Sequence, residues 1–240
     1  MIIKEQVGVV TGATSGIGRA TSLALAQLGM DLALVGRDVI RLEEIEKACR
    51  SFSPNVHAYS ADLGCDGDLA RVAAAVLADF GVVDVLIHSA GDFSMGLIEH
   101  AAVAELDNLY RVNVRAPYAL SKALLPMVRA NRGQIVFINS SAGLTARGGI
   151  AAYAATKHAL KAIADSLRAE VNAAGVRVIS VYPGRTATPQ QEKIHKQEGK
   201  PYQSERLLQA EDVAKAVLSA LAMPRTAEVT DISIRPMQKS

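Results

Sequence analysis

Short apolar runs alternate along this chain with longer segments in which apolar residues recur at helical spacing. The runs are rich in Val, Ile and Leu, as expected of strands that are buried on both faces of a sheet. We predict strands at residues 7–10, 31–35, 56–59, 83–88, 134–139, 176–182 and 229–234. We predict helices at residues 17–28, 41–50, 69–80, 103–112, 117–130, 151–174 and 211–222. Strands that alternate with helices are typical of βαβ units, so the pattern predicts an α/β fold: a doubly wound, mainly parallel seven-stranded sheet with helices on both faces.

No linker, repeat or low-complexity tract interrupts this alternation, and we predict a single domain over residues 1–240. One segment departs from the pattern. Residues 185–207 are polar and contain Pro189, Gly199 and Pro201. Long insertions in compact domains are often lids over active sites, so we predict a lid here. The alternative is a solvated excursion on the surface.

Composition and charge exclude several classes of protein. Half of the residues are hydrophobic, 21% are charged and the net charge is +2, which predicts a large core and no broad basic surface for nucleic acid. Cys49 and Cys65 are the only cysteines, and no metal-ligand spacing occurs, so we expect no metal site. Residues 1–10 are too short for a signal peptide, and no apolar run approaches the roughly 18 residues of a membrane span. We therefore expect a cytoplasmic protein without a nucleic-acid or membrane partner.

A glycine cluster follows the first predicted strand directly. Gly12, Gly16 and Gly18 lie in the run Thr-Gly-Ala-Thr-Ser-Gly-Ile-Gly, which opens the first predicted helix. Glycines let a backbone turn sharply and approach a pyrophosphate, which then binds at the helix N-terminus. A glycine cluster is a weak signal alone, but its position between a strand and a helix predicts a dinucleotide-binding turn.

The end of the second predicted strand bears on the choice of dinucleotide. An acidic residue there favours NAD by binding the ribose 2′-hydroxyl, whereas a nearby Arg accommodates the 2′-phosphate of NADP. The chain has Gly36, Arg37 and Asp38 at this point. Because Gly36 has no side chain to accept a hydrogen bond and Arg37 can bind a phosphate, we predict NADP(H) in preference to NAD(H). The alternative is that Arg37 is a surface residue and that Asp38 caps the next helix.

Tyr153 and Lys157 are spaced so that they share one face of a predicted helix. An ammonium beside a phenol favours the phenolate, which predicts that the pKa of Tyr153 falls from about 10 by roughly 1–3 units. Tyr153 would then exchange protons near neutral pH. With the glycine turn, the pair predicts proton transfer coupled to hydride transfer at a nicotinamide. Singly, each residue has a structural alternative: a tyrosine hydroxyl in water, or a solubilising lysine.

Together these motifs resemble the short-chain dehydrogenase/reductase family, in its single-domain branch, over essentially the whole chain. Residues 11–18 look like that family's T-G-x-x-x-G-x-G turn, and Tyr153 with Lys157 looks like its Y-x-x-x-K motif. Ser140 is similar to the catalytic serine, because it precedes Tyr153 by 13 residues and a glycine follows it at the family's spacing. Ser141 meets neither test. The resemblance implies a Rossmann fold.

The resemblance also implies the members of the site. The implied catalytic residues are Asn113, Ser140, Tyr153 and Lys157. With Arg37 added from the residues themselves, the predicted cofactor-binding set is Gly12, Thr14, Ser15, Gly16, Ile17, Gly18, Arg37, Asp62, Leu63, Ser89, Ala90, Gly91, Tyr153, Lys157, Pro183, Gly184, Thr186 and Thr188. By family analogy, Tyr153 is the general acid or base and Ser140 polarises the carbonyl oxygen. Lys157 binds the nicotinamide ribose, and Asn113 supports a water that links Lys157 to solvent.

One segment departs from the family pattern. The family often has Asn-Asn-Ala-Gly after the fourth strand, where this chain has His88, Ser89, Ala90 and Gly91. We expect the backbone and the small residues of this segment to border the cofactor. We expect His88 to pack at the end of the strand rather than to act as a catalytic base.

The predicted activity is an NADP(H)-dependent interconversion of a carbonyl and a secondary alcohol. The C-terminal part resembles members that act on small 3-hydroxy acids or on serine, and the lysines and arginines of residues 185–207 suit a carboxylate. Two alternatives stay open: a broad-specificity carbonyl reductase, and a non-catalytic NADP(H)-binding sensor. Family members are mostly homotetramers, with dimers also found, so the resemblance implies a homo-oligomer.

Overall fold

The computed structural model describes residues 5–238, so residues 1–4 and 239–240 of the predicted domain 1–240 lie outside the described residues. The strands are β1 (Val7–Thr11), β2 (Asp31–Gly36), β3 (Val56–Ser60), β4 (Val85–His88), β5 (Gln134–Ile138), β6 (Arg177–Pro183), β7 (Thr186–Ala187), β8 (Leu208–Gln209) and β9 (Asp231–Ile234). The α-helices are α1 (Gly16–Gln27), α2 (Val39–Arg50), α3 (Asp66–Phe80), α4 (Val103–Tyr110), α5 (Ala116–Ala130), α6 (Ala151–Val171), α7 (Pro189–Gln197) and α8 (Ala210–Leu221).

The main sheet has seven strands in the order β3-β2-β1-β4-β5-β6-β9, and every neighbouring pair is parallel. In the centre, Val10 of β1 stands beside Leu34 of β2 on one side and beside Ile87 of β4 on the other. The chain winds outward from β1 to β3 and then outward in the opposite direction from β4. The predicted doubly wound, parallel sheet is therefore confirmed. Ligands of such sheets bind at the carboxyl ends of the strands, where the winding reverses.

Apolar side chains cover both faces of this sheet. On one face α1, α2 and α8 pack through residues such as Leu25, Ile45 and Val217. On the other face α3 and α5 pack through residues such as Val76 and Leu124. Crossovers between parallel strands place helices on both faces, which explains why β1, β5 and β6 are buried along their whole length. Within the described residues, no helix is both long and apolar enough to cross a bilayer.

Capping side chains decide where two of the helices begin. The Asp38 carboxylate accepts a hydrogen bond from the backbone N–H of Arg41 at 3.1 Å and begins α2. Thr188 begins α7 in the same way, accepting from the N–H of Gln191 at 3.2 Å. Each cap satisfies an N–H group that the first helical turn leaves free. The alternative role of Asp38, as a helix cap, is thus confirmed, and α2 begins before the predicted residue 41.

The helices predicted at residues 103–112 and 117–130 form one continuous helical run. A π-helical turn, Arg111–Arg115, joins α4 directly to α5. Pro117 follows this turn, and its ring and missing N–H are incompatible with regular α-helical bonding to the preceding turn. The wider π turn accommodates it without ending the helix. Such turns are frequent at functional sites, and this one carries Asn113.

The predicted lid, residues 185–207, has a folded structure of its own. β7 and β8 pair in a separate two-stranded sheet, and α7 lies between them in sequence. α7 buries Ile194 and His195. One nitrogen of the Arg185 guanidinium donates to both carboxylate oxygens of Glu198, at 2.7 and 2.8 Å, which ties the start of the segment to the end of α7. Its role as a lid stays a prediction.

Candidate active site

A cleft of about 660 Å³ opens at the carboxyl ends of the central strands, next to the reversal between β1 and β4. The predicted site residues that line it are Gly12, Thr14, Ser15, Gly16, Ile17, Arg37, Asp62, Leu63, Ser89, Ala90, Gly91, Ser140, Tyr153, Lys157, Pro183, Gly184, Thr186 and Thr188. Two others, Gly18 and Asn113, are buried behind its walls. The fold therefore gathers residues that are spread over most of the sequence.

The glycine turn leaves a gap at the start of α1. Gly12 has a φ of +69° and Gly16 a φ of +51°, in the left-handed region that glycine tolerates. A Cβ on Gly18 would collide with the carbonyl oxygen of Gly12, so the turn closes on itself only with glycine there. A Cβ on Gly16 would come within 2.9 Å of Thr188 on the opposite side of the cleft. The cleft therefore borders the N-terminus of α1 without an intervening side chain at Gly16, and this position suits a pyrophosphate.

A threonine hydroxyl joins the ends of β1 and β4. Oγ1 of Thr11 accepts hydrogen bonds from the backbone N–H groups of Ser89 and Ala90, at 3.1 and 3.2 Å. This holds the segment after β4 against the glycine turn. Both segments therefore border one space, as expected for residues 89–91.

Two arginines line the cleft where β2 ends. Arg37 precedes α2 and Arg41 lies in its first turn, and both are exposed to the cleft. The Asp38 carboxylate between them caps α2 through the Arg41 backbone, and its other oxygen lies 3.4 Å from Nε of Arg41. The carboxylate that follows β2 is thus engaged by its own helix, while the Arg37 guanidinium borders open space.

Ser140, Tyr153 and Lys157 meet on one side of the cleft, which we call the Ser–Tyr–Lys wall. Asn139 aligns two of them: its Nδ2 donates to the backbone carbonyl of Lys157 at 3.1 Å, and its Oδ1 accepts from the N–H of Ser140 at 2.9 Å. Nζ of Lys157 lies 5.7 Å from the centroid of the Tyr153 ring and donates to the carbonyl of Ile138 at 3.3 Å. The wall combines a hydroxyl, a phenol and an amine.

Asn113 lies behind this wall with its amide fully engaged. Its Oδ1 accepts from the N–H of Asp92 at 2.8 Å. Its Nδ2 donates to the carbonyl of Asp92 at 2.9 Å and to Oγ1 of Thr156 at 3.1 Å. Asn113 therefore joins the segment after β4 to α6, the helix that carries Tyr153 and Lys157. It acts on them through α6, and its predicted support of a water stays a prediction.

Comparison with known proteins agrees with this geometry. A family model described as short chain dehydrogenase matches residues 6–199. An uncharacterised oxidoreductase of Staphylococcus epidermidis is 34% identical over 236 residues, which cover 98% of this chain and 99% of that protein. This chain belongs to the short-chain dehydrogenase family. The predicted family and oxidoreductase class are confirmed.

Solved structures similar to this short-chain dehydrogenase contain nicotinamide cofactors of both kinds. The alcohol dehydrogenase of the archaeon Thermococcus sibiricus, complexed with 5-hydroxy-NADP, is 26% identical with a TM-score of 0.89 and covers 99% of each chain. The 3-ketoacyl-(acyl-carrier-protein) reductase of Brucella melitensis, complexed with NADH, is 26% identical with a TM-score of 0.85. That match covers 96% of this chain and 97% of the reductase.

Burial dominates the ionisation of the Ser–Tyr–Lys wall in this short-chain dehydrogenase. Burial raises the pKa of the Tyr153 phenol, and the Ser140 side chain acts in the opposite direction. Burial also lowers the pKa of the Lys157 amine to about 8. The predicted lowering of the Tyr153 pKa is therefore wrong for this structure. Removal from water disfavours the phenolate, and this effect outweighs the Ser140 hydrogen bond that favours it.

His88 is a packing residue of this family member, as expected. It is 4% exposed, its ring stacks on Phe137 with centroids 4.9 Å apart, and its Nε2 lies 2.8 Å from Oγ of Ser121. Burial lowers the pKa of His88 to about 3, so the imidazole is neutral at physiological pH. The ring fills the end of β4 behind the cleft.

The sequence does not single out several residues that line the cleft, namely Arg41, Asp92, Phe93, Asn139, Thr145, Arg147, Ile150 and Gln191. Arg41 carries a signal, since it follows Arg37 by four residues. Arg147 carries another, because it lies in sequence between two residues of the Ser–Tyr–Lys wall. Gln191 carries none, because its place depends on how residues 185–207 fold back over the sheet.

Proposed function

We propose that this oxidoreductase interconverts a carbonyl group and a secondary alcohol with NADP(H). The observation that carries the proposal is the meeting of Ser140, Tyr153 and Lys157 beside a gap that fits a pyrophosphate. In reduction, the carbonyl carbon receives a hydride and the carbonyl oxygen takes the phenolic proton of Tyr153. NADPH, when bound, supplies that hydride, and NADP⁺ accepts it in the reverse direction.

The ionisation of the wall suits these roles. Because burial raises the pKa of Tyr153, its phenol is protonated at neutral pH and is ready to act as the acid. The Ser140 hydroxyl donates a hydrogen bond to the carbonyl oxygen as negative charge develops there. The ammonium of Lys157 stabilises the phenolate that the proton transfer leaves, until solvent returns a proton.

The preference for NADP(H) rests on the two arginines at the end of β2. A guanidinium binds a phosphate through charge-assisted hydrogen bonds, and Arg37 and Arg41 both border the cleft. A free carboxylate at this point would bind the 2′-hydroxyl of NAD instead, but the Asp38 carboxylate is engaged as a helix cap.

A charge reversal tests the cofactor proposal. We expect Arg37→Glu to weaken NADPH binding by about 10- to 100-fold relative to NADH, the size of a lost hydrogen bond to a charged group. Lys47→Glu is the matched control, because Lys47 is exposed on α2, the helix that follows Arg37, and does not line the cleft. Dissociation constants for both cofactors are the measurement. An Arg37→Glu variant that still prefers NADPH would contradict the proposal.

The catalytic proposal is tested by turnover. The panel consists of 3-hydroxy acids, serine, simple ketones and aldehydes, followed by nicotinamide absorbance. We expect Tyr153→Phe to lower kcat at least 100-fold, the lower end of what a general acid contributes, while NADPH binding persists. Turnover that survives in this variant would refute the role of Tyr153.

Two other functions are distinguished by the same panel. Reduction of many unrelated carbonyls would favour a broad-specificity reductase over an enzyme for small 3-hydroxy acids. Cofactor binding without any turnover would favour a non-catalytic NADP(H) sensor. The Ser–Tyr–Lys wall argues against the sensor, since cofactor binding alone does not need all three of its residues.

We also propose that the enzyme is a homodimer or homotetramer in the cytoplasm. Apolar side chains on α4 and the start of α5 are exposed, among them Val103, Leu106, Tyr110 and Tyr118. Large apolar patches on a protein surface usually mark a contact with another chain. Light scattering on the purified protein tests this, with Val103→Glu as the variant expected to shift it toward monomer.

A further inference from the structure

Three cations surround one carboxylate beside the cleft. Glu198, whose side chain is 11% exposed, has three cationic neighbours. Arg185 donates to both of its oxygens at 2.7 and 2.8 Å, and Nζ of Lys200 lies 3.2 Å away. The guanidinium of Arg147 lies 3.7 Å from the same carboxylate. One carboxylate cannot balance three cations, so this cluster carries an excess of positive charge.

Arg147 is the least engaged of the three. Its separation from Glu198 exceeds hydrogen-bonding distance, and within residues 5–238 its guanidinium has no hydrogen-bond partner. The side chain is 56% exposed and lines the cleft, whereas Lys200 does not line it. A guanidinium that faces a cleft with free N–H groups is suited to bind a carboxylate through two parallel hydrogen bonds.

The position of Arg147 assigns it to the substrate rather than to the cofactor. It lies in the segment between Ser140 and Tyr153, the two residues proposed to contact the reacting oxygen. That segment is held by a hydrogen bond from the N–H of Gly96 to the carbonyl of Gly149 at 2.8 Å. The pyrophosphate gap and the arginines at the end of β2 are built from other segments of the chain.

The surroundings of Arg147 limit the size and polarity of the ligand. The apolar side chains of Phe93 and Ile150 also line the cleft beside Tyr153, and Phe93 packs edge-to-face on Tyr153 with ring centroids 4.8 Å apart. Asp92 also lines the cleft and contributes a negative charge, against the positive charges of Arg147 and Lys193. A ligand with a short apolar body and one anionic end complements this combination.

We propose that Arg147 binds the carboxylate of a small hydroxy or keto acid and so selects acids over neutral substrates at the Ser–Tyr–Lys wall. This inference rests on the proposed function, since it names the substrate class of that same site. Arg185, which also lines the cleft, does not supply the anchor, because it is already bound by Glu198.

A binding experiment tests the proposal without turnover. 3-Hydroxybutyrate and its methyl ester are titrated calorimetrically into enzyme saturated with NADPH, which cannot oxidise an alcohol. The two ligands share the reacting carbon and differ in charge. We expect the acid to bind about 10- to 100-fold more tightly than the ester, the effect of one charge-assisted hydrogen-bonded pair.

Two matched variants locate the source of this preference. In Arg147→Met we expect the acid-to-ester ratio to fall to near one. In Lys200→Met, which removes another cation from Glu198 outside the cleft, we expect the ratio to persist. Equal binding of acid and ester to the wild type, or an equal loss of the ratio in both variants, would overturn the proposal. If Arg147→Met lost NADPH affinity by as large a factor as it lost affinity for the acid, that would also overturn the proposal, because Arg147 would then bind the cofactor.

The same measurements separate this inference from the proposed reaction. If carbonyl turnover depends on Tyr153 but acid and ester bind equally, the reaction stands and the role of Arg147 fails. If acids bind through Arg147 but no alcohol or carbonyl is turned over, the anion site stands and the proposed reaction fails.

Discussion

Replacement of Lys157 by Met should make the protein more stable while it abolishes activity. Lys157 is 4% exposed, and within the described residues it forms no ion pair. Its amine donates to the carbonyl of Ile138 at 3.3 Å. A buried ammonium without a carboxylate partner costs free energy of folding, and Met fills a similar volume without a charge.

The magnitude follows from the shifted pKa. Burial lowers the pKa of Lys157 from 10.5 to about 8, and this difference corresponds to a cost of about 3 kcal/mol when the amine is charged in both the folded and the unfolded state. The variant also loses the hydrogen bond to Ile138, which offsets about 1 kcal/mol of the gain in stability. We therefore expect Lys157→Met to gain about 2 kcal/mol at pH 7. For a chain of this length that raises Tm by about 4–8 °C.

The pH dependence gives the sign of the effect. Below pH 8 the amine is charged in both states, so the wild type bears the full cost and the variant gains most. Between about pH 8 and 10.5 the folded protein loses this proton before the unfolded chain does, so the cost declines. Above 10.5 the amine is neutral in both states and the gain disappears.

The assay is thermal unfolding of both proteins without cofactor, from pH 6 to pH 10. Lys161→Met is the matched control: Lys161 lies one turn further along α6 and donates to Asp165 at 2.6 Å. The hydrogen bond to Asp165 raises the pKa of Lys161, so this variant should show no gain. An unchanged or lower Tm for Lys157→Met at pH 7, or a gain that does not change with pH, would refute the reasoning.

Three further predictions follow from single contacts. Gly18→Ala should abolish NADPH binding, measured by calorimetry, because its Cβ would collide with the Gly12 carbonyl in the phosphate turn. Arg177→Met should lower the free energy of unfolding, measured in urea, by about 3 kcal/mol. The buried Arg177 guanidinium donates to four backbone carbonyls at the C-terminal end of α8 and just after it. Each buried carbonyl left without a donor costs about 1–3 kcal/mol. Finally, kcat/KM for reduction should fall above about pH 8 as Lys157 loses its charge.

Each of these has a control or a contrary outcome. Gly148→Ala should bind NADPH normally, since a Cβ there meets nothing within 4 Å. A stable Arg177→Met protein would mean that the carbonyls find other donors. A reduction rate that holds constant to pH 10 would mean that the charge of Lys157 does not assist the reaction.

The order of the elements could be predicted from the sequence because each depends on local pattern. The strand β5, Gln134–Ile138, is a short run dominated by Ile, Val and Phe that is buried on both sides, and such a run has few alternatives to a central strand. The glycine turn is equally local, since it needs only its glycines and the strand and helix that flank it. The join of α4 to α5 was missed, because the π turn before Pro117 depends on how that helix packs.

The ionisation of the Ser–Tyr–Lys wall and the ion pairs beside the cleft could not be predicted in the same way. The spacing of Tyr153 and Lys157 places both on one helix face, and from that spacing alone a lowered pKa for Tyr153 is the natural expectation. Burial reverses the direction, and it depends on residues distant in sequence, such as Phe93, which packs on the Tyr153 ring. Likewise, the sequence does not pair Arg185 with any carboxylate, but in the structure it donates to Glu198 at the end of α7.

Local patterns in the sequence are enough to predict the family, the parallel sheet and the residue types of the Ser–Tyr–Lys wall. These depend on periodicity and on spacing within single elements, which are local properties of the chain. Which groups lose their water and which charges meet depends on the folded structure, because pKa values and ion pairs depend on neighbours that are distant in sequence. Arg147 is an example: Arg185 donates to both oxygens of Glu198, and the Arg147 guanidinium lies 3.7 Å from that carboxylate, without a hydrogen bond to it.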